Sequence, residues 1–107
     1  MREHRYRITV EHVATASPSQ VQHAPLQFES GNHDDIFSII DKARSKGHFD
    51  DDTSAALILG LKLFADVMIK QRKHALFAEI ALPMREFIGK LKSLPPAADG
   101  VAPAIAD

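Results

Sequence analysis

The chain has 107 residues, enough for one domain with a hydrophobic core, and its formal net charge of −1 excludes a general attraction to nucleic acid or anionic membranes. It contains no cysteine, which excludes disulfides, thiolate metal sites and a cysteine nucleophile and fits a reducing compartment. The first twelve residues, MREHRYRITVEH, lack an apolar segment of signal-peptide length, so we expect a cytoplasmic protein.

Two segments near the N-terminus alternate apolar and polar side chains with the period of a β-strand. They are residues 5–10, RYRITV, and residues 25–30, PLQFES, and the stretch ATASPSQVQHA between them reads as a loop. We predict that the two strands form an antiparallel hairpin with a long loop.

Helix signals follow the hairpin. The first helix is predicted over residues 34–46, with Asn32 as its N-cap, Asp34 and Asp35 near its positive end, and Gly47 as its C-terminal stop.

The second and third helices are predicted over residues 52–72 and 76–93. Asp50 or Asp51 caps the second. Pro83 interrupts the third, because proline removes one helical hydrogen bond and clashes with the preceding turn. The unbroken apolar stripe favours a kinked continuous helix, and the alternative is a helix that ends near Ala81 and restarts with Pro83 in its first turn.

The second helix carries the most apolar stretch of the chain, AALILGLKLFADVMI, residues 55–69. Its recurring charges make it a helix of a soluble core rather than a membrane span. Lys62, Asp66, Lys70 and Lys73 share one polar wedge, and Gly60 lies opposite them, near Ala56, Phe64 and Val67. We expect this helix to be buried nearly all round, with Gly60 allowing close approach of another backbone. The alternative is a ligand pocket over Gly60.

The order of elements predicts an α+β fold, ββααα, in which the helices pack on one face of the hairpin. Residues 1–93 are expected to form a single domain, and residues 94–107 a mobile tail rich in Ala and Pro. A two-stranded sheet has two open edges, so we predict a homodimer in which two hairpins pair edge to edge. The alternatives are a hairpin wrapped by helices and a hairpin that accepts a strand from another protein.

Two polar clusters are candidate binding sites. His33, Asp34 and Asp35 lie in NHDD, where helix capping already explains the acidic residues. The other cluster, the basic turn, consists of three consecutive residues near the end of the second helix: Arg72, Lys73 and His74. Basic residues there complement the helix dipole, and anion contact is the alternative.

No sequence motif points to catalysis, and no histidine spacing matches a metal site. We therefore predict no cofactor, no metal and no enzyme activity, and we do not expect nucleic-acid or membrane partners.

Four stretches of the chain resemble a small bacterial family known as domain of unknown function 3861. They are HRYRITVE, PLQFESGNHDDIFSII, LGLKLFADVMIKQRKHALF and EFIGKLK, and the resemblance covers about residues 4–92. It implies a short cytoplasmic α+β protein and assigns no activity and no residue role.

These observations favour a non-enzymatic interaction or homodimerising module. The alternative is a protein that binds a small ligand, an anion or a metal, using the basic turn or a pocket beside the central helix.

Overall fold

A computed structural model of the protein describes residues 3–97. Within this range the chain forms two compact units, one ending at Asp34 and the other beginning at Asp35. A two-stranded antiparallel hairpin makes up the first unit and three α-helices the second, so the predicted ββααα order of an α+β fold is confirmed. Packing of the helices on one face of the hairpin, and the single domain over residues 1–93, stay predictions.

The hairpin consists of β1, His4–Val10, and β2, Leu26–Asn32. Pro25 lies just outside β2, which suits a residue without a backbone N–H to donate to the ladder. Ile8 faces Phe28 across the ladder. This pairing confirms the predicted long-looped hairpin.

The register sorts the hairpin side chains into an apolar face and a charged face. Ile8, Phe28 and Leu26 share one face, and Arg7 and Glu29 share the other. The alternation is therefore as predicted, but the apolar face is not fully buried, since Phe28 is 43% exposed and Leu26 is 60% exposed.

The helical unit contains α1, Ile36–Lys46, α2, Asp51–Lys70, a short 3₁₀ helix, Ala75–Phe77, and α3, Ala81–Ser93. No helix in the described part of the chain is both long and apolar enough to cross a membrane.

The start of α1 differs from the prediction. Asn32 ends β2, and its side-chain oxygen accepts a hydrogen bond from the backbone N–H of Asp34 at 2.9 Å. The N-cap is Asp35, whose carboxylate accepts hydrogen bonds from the backbone N–H and the hydroxyl of Ser38 at 3.3 and 3.2 Å. Gly47, with a left-handed φ of 74°, ends the helix as predicted.

The preferred prediction for the third helix is wrong. The chain forms the 3₁₀ helix and then a separate α3, with Pro83 as its third residue. The first backbone N–H groups of a helix have no partner within it, so proline in the first turn sacrifices little. The restart with Pro83 in the first turn agrees with the alternative, but the preceding segment is a 3₁₀ helix that ends at Phe77 and not a helix that ends near Ala81.

The core of the helical unit lies mainly between α1 and α2. Ile36 of α1 and Ile58 of α2 are the buried apolar residues among those the structure describes, and Ser54, one turn before Ile58 in α2, is fully buried. The prediction that α2 is buried nearly all round is therefore wrong, because its partners within the chain leave Phe64 and Val67 exposed.

The predicted mobile tail lies mostly outside the described residues. Its first residues, up to Ala97, are held against the end of α1, where the backbone N–H of Ala97 donates to the carbonyl of Lys46 at 2.7 Å. The ring of His48 is hydrogen-bonded to the carbonyl of Pro95.

Candidate functional site

The first predicted cluster serves local structure. Asp35 caps α1, and the carbonyl oxygen of Asp34 accepts a hydrogen bond from the Tyr6 hydroxyl at 3.0 Å. His33 is exposed. Capping thus accounts for Asp35, and no described contact of His33 and Asp34 points to a ligand.

The residues of the basic turn also differ in role: His74 serves local structure, and Arg72 and Lys73 do not. His74 starts the 3₁₀ helix, because its Nδ1 accepts the backbone N–H of Leu76 at 3.1 Å, and its ring meets the ring of Phe77 edge-on. Arg72 and Lys73 are exposed, and within residues 3–97 neither forms an ion pair. The turn therefore offers two solvated charges and a histidine that already has a structural role.

The described residues hold no group of three or more His, Asp or Glu side chains that could bind a metal ion. The metal alternative therefore has no support from residues 3–97.

The charged face of the hairpin is internally compensated. Arg5 and Arg7 donate to the two carboxylate oxygens of Glu29 at 3.1 and 3.3 Å. These hydrogen bonds, with the two positive charges, hold the pKa of Glu29 below its ordinary value. Glu29 thus neutralises one of the two positive charges of Arg5 and Arg7, which weakens this face as an anion site.

An exposed apolar stripe runs along α2, and we call it the α2 stripe: Ala56, Gly60, Phe64 and Val67. The spacing of four, four and three residues puts these residues on one side of the helix. All four are exposed, with Phe64 at 37% and Val67 at 48%. The ring of Phe64 meets that of Phe77 edge-on at 6.2 Å, which fixes one end of the stripe.

Gly60 lies at the centre of the stripe, and a Cβ atom built there would have no neighbour within 4 Å. The prediction that Gly60 allows another backbone to approach is therefore wrong for contacts within the described chain. The stripe is an open surface, opposite the side of α2 that carries Ile58.

A groove of about 340 Å³ lies on the other side of α2, between the three helices. Each helix contributes residues spaced three or four apart, which form a continuous apolar floor. The floor consists of seven side chains: Ile39, Ala43, Ile58, Leu61, Ala65, Ile88 and Leu91.

The remaining lining of this groove is cationic, so we call it the lysine groove. Four lysines from the three helices line it: Lys42, Lys46, Lys62 and Lys92. None of the described residues that line it carries a carboxylate. The Lys46 ammonium group donates to the backbone carbonyl of Lys92 at 3.3 Å, which ties the end of α1 to the end of α3.

The sequence analysis predicted a pocket beside the central helix on its sheet side, and it assigned none of these lining residues to a pocket. A signal was present, because Lys42 and Lys46 follow Ile39 at helical spacing on one side of α1. The convergence of three lysine-bearing helices on one groove depends on tertiary packing, which periodicity does not report.

A family model described as a domain of unknown function with a solved structure, DUF3861, matches residues 4–93. The chain belongs to the DUF3861 family. The resemblance noted in the sequence is thereby confirmed, and the DUF3861 description carries no activity. Comparison with curated proteins found no match.

A crystal structure of a protein of unknown function from Pectobacterium atrosepticum is similar to this DUF3861 chain. The two sequences are 39% identical, the TM-score is 0.76, and the match covers 87% of this chain and 100% of the other. This similarity supports the ββααα fold and assigns no role to any residue.

Proposed function

We propose that this DUF3861 protein is a non-enzymatic homodimerising module whose contact surface is the α2 stripe. The observation that carries the proposal is the position of Gly60, an exposed glycine in the middle of a 20-residue helix, flanked on the same side by exposed apolar residues.

Glycine in a helix interior destabilises the helix by about 1 kcal/mol relative to alanine. Among residues 3–97, no atom lies close enough to Gly60 to require a residue without a side chain there. A contact between two copies would use it, since a position without a side chain lets two helix axes approach to about 8 Å.

The order of residues along the stripe suits a twofold contact. Gly60 is the midpoint between Ala56 and Phe64, so two antiparallel α2 helices that cross at Gly60 bring each Phe64 to the Ala56 of the other copy. A large side chain then meets a small one on both sides of the twofold axis. A symmetric dimer requires this kind of self-complementary surface. Burial of Phe64 and Val67 would supply the hydrophobic driving force.

The first test is the mass of the protein in solution. Sedimentation equilibrium over a range of concentrations is expected to give a dimer of the 11.8 kDa chain that dissociates on dilution. A mass of 11.8 kDa throughout the range would overturn the proposal.

The second test changes Gly60 itself. Gly60→Leu places a side chain in open space within each chain, so the isolated chain is expected to gain helix stability of about 1 kcal/mol. The same side chain would hold two α2 helices apart, and we expect the dimer dissociation constant to rise by about tenfold or more.

The matched control is Gly89→Leu, because Gly89 is also exposed, lies inside α3 and has no neighbour within 4 Å of a built Cβ. This change is expected to leave the dissociation constant unaltered. Equal effects of the two substitutions on association would contradict the use of the α2 stripe.

Binding of a small ligand is the second candidate function, and the lysine groove favours it. Its volume falls near the lower end of the roughly 300–1,000 Å³ typical of ligand pockets. Binding of a neutral apolar dye, lost on filling the groove with Ala65→Phe, is the expected result, and a protein that binds no apolar dye would contradict this candidate.

A further inference from the structure

We propose that the lysine groove binds a straight-chain fatty acid, with the acyl chain on the apolar floor and the carboxylate held by the lysines that line the groove, which we call the rim. The inference rests on the second proposed function and specifies its ligand class.

The floor selects an apolar chain. Its seven side chains are aliphatic, and none offers a hydrogen-bond donor or acceptor. A sugar would leave its hydroxyl groups unpaired there. A nucleotide base would find no aromatic ring to stack on. A flexible aliphatic chain needs neither hydrogen-bond partners nor an aromatic ring.

The rim selects an anion. Lys42 and Lys92 form no ion pair within the described residues, and no carboxylate lines the groove to neutralise them. Ammonium groups at the edge of an apolar surface bind a carboxylate through charge-assisted hydrogen bonds. Lys46, whose ammonium already donates to the carbonyl of Lys92, retains two further donors.

The size of the groove selects a single chain. A peptide helix about 10 Å across and about 15 Å long occupies roughly 1,200 Å³, so a groove of about 340 Å³ could not enclose it. A lipid with two acyl chains is too large for the same reason. One free fatty acid of medium length, such as octanoate, decanoate or dodecanoate, is the occupant that matches both floor and rim.

Displacement of a bound neutral dye, N-phenyl-1-naphthylamine, from the full chain tests the inference. Decanoate is expected to displace the dye at a concentration about tenfold lower than decanol, because only the carboxylate engages the lysines. This preference is expected to fall as salt is added, since ions screen exposed charges.

The double variant Lys42→Gln/Lys92→Gln locates the carboxylate. We expect it to raise the decanoate concentration needed by about tenfold and to leave decanol unchanged. Its control is Arg85→Gln/Lys90→Gln, which removes the same charge from residues of α3 outside the groove and is expected to leave the preference intact. Circular dichroism verifies that each variant is folded.

The outcomes distinguish failure of the fatty acid inference from failure of small-ligand binding, the proposed function on which it rests. If the dye binds and decanol matches decanoate, the fatty acid is wrong while small-ligand binding stands. If no dye binds, both fail. If the Lys42→Gln/Lys92→Gln change converts a dimer into monomers and leaves displacement of the dye by decanoate unaltered, the groove holds a second copy and the fatty acid inference is overturned.

Discussion

Asp35 and Asp50 perform the same task at the starts of two successive helices. The carboxylate of Asp50 accepts the backbone N–H of Thr53 at 2.7 Å, as that of Asp35 accepts Ser38. The sequence predicted capping in both acidic runs because short polar side chains satisfy free N–H groups. It did not predict that Asp35 rather than Asn32 caps α1. Every side-chain oxygen in that run is a suitable acceptor, and Asn32 belongs to β2, which leaves Asp35 as the residue before the helix.

Asp50 also gives the protein a defined response to acid. Hydrogen bonds from the side chain and backbone of Thr53 lower the pKa of Asp50 from its ordinary 3.8. Because the folded-state pKa lies below the unfolded one, the ionised cap contributes stability above pH 3.8, and this contribution is lost as the pH falls through the lowered value.

The matching substitution is Asp50→Asn, which keeps an oxygen acceptor but removes the charge. Thermal unfolding at one fixed protein concentration is expected to show the original chain more stable than Asp50→Asn near neutral pH, with the margin shrinking below pH 3.8. Glu29, whose pKa is also lowered, is present in both proteins and cancels. A margin that is constant or grows on acidification would rule out this role.

At the scale of elements, Pro83 shows where periodicity misleads. The apolar stripe continues in phase through residues 76–93, but the backbone does not, because Pro83 cannot donate to the turn before it. The helical periodicity of the apolar residues can continue across a short irregular segment. It therefore could not distinguish one kinked helix from a 3₁₀ helix followed by α3. The chemistry of proline itself was the better signal.

Pro83→Ala separates the two architectures by the sign of its effect. In the first turn of α3, proline loses little hydrogen bonding and restricts the unfolded chain, so its removal is expected to destabilise the protein by less than about 1 kcal/mol. Inside a continuous helix, the same change would stabilise the protein by about 3 kcal/mol.

Urea unfolding measures the difference. Gly89→Ala, in the interior of the same helix, is the calibration and is expected to stabilise the protein by about 1 kcal/mol. A gain from Pro83→Ala larger than that from Gly89→Ala would mean that α3 extends through the proline.

The α2 helix illustrates a second limit on sequence reasoning. Its composition predicted apolar side chains around most of the helix circumference, and the helix has them. Composition could not predict which sides of α2 are buried by the rest of the chain, because Ile58, Leu61 and Phe64 are equally apolar. Packing makes them different, with Ile58 buried, Leu61 lining the lysine groove and Phe64 exposed on the α2 stripe.

At the scale of the whole molecule, the DUF3861 chain is an α+β protein whose described residues bury few apolar side chains completely. The sequence predicted a second copy from the open edges of a two-stranded sheet. The exposed α2 stripe supports the same partner through a different surface, one of helix rather than strand. Position 60 distinguishes them, because strand pairing would not need a glycine there.

Because the chain has no cysteine, one introduced cysteine reports the dimer contact without background. A disulfide needs Cα atoms about 4.4–6.8 Å apart, a separation that two α2 helices crossing at position 60 would reach. Mild oxidation of Gly60→Cys at a protein concentration at which the original chain is dimeric is therefore predicted to give a disulfide-linked dimer, while Gly89→Cys stays largely monomeric in a denaturing gel. Equal linkage of the two variants, or none at position 60, would contradict the account.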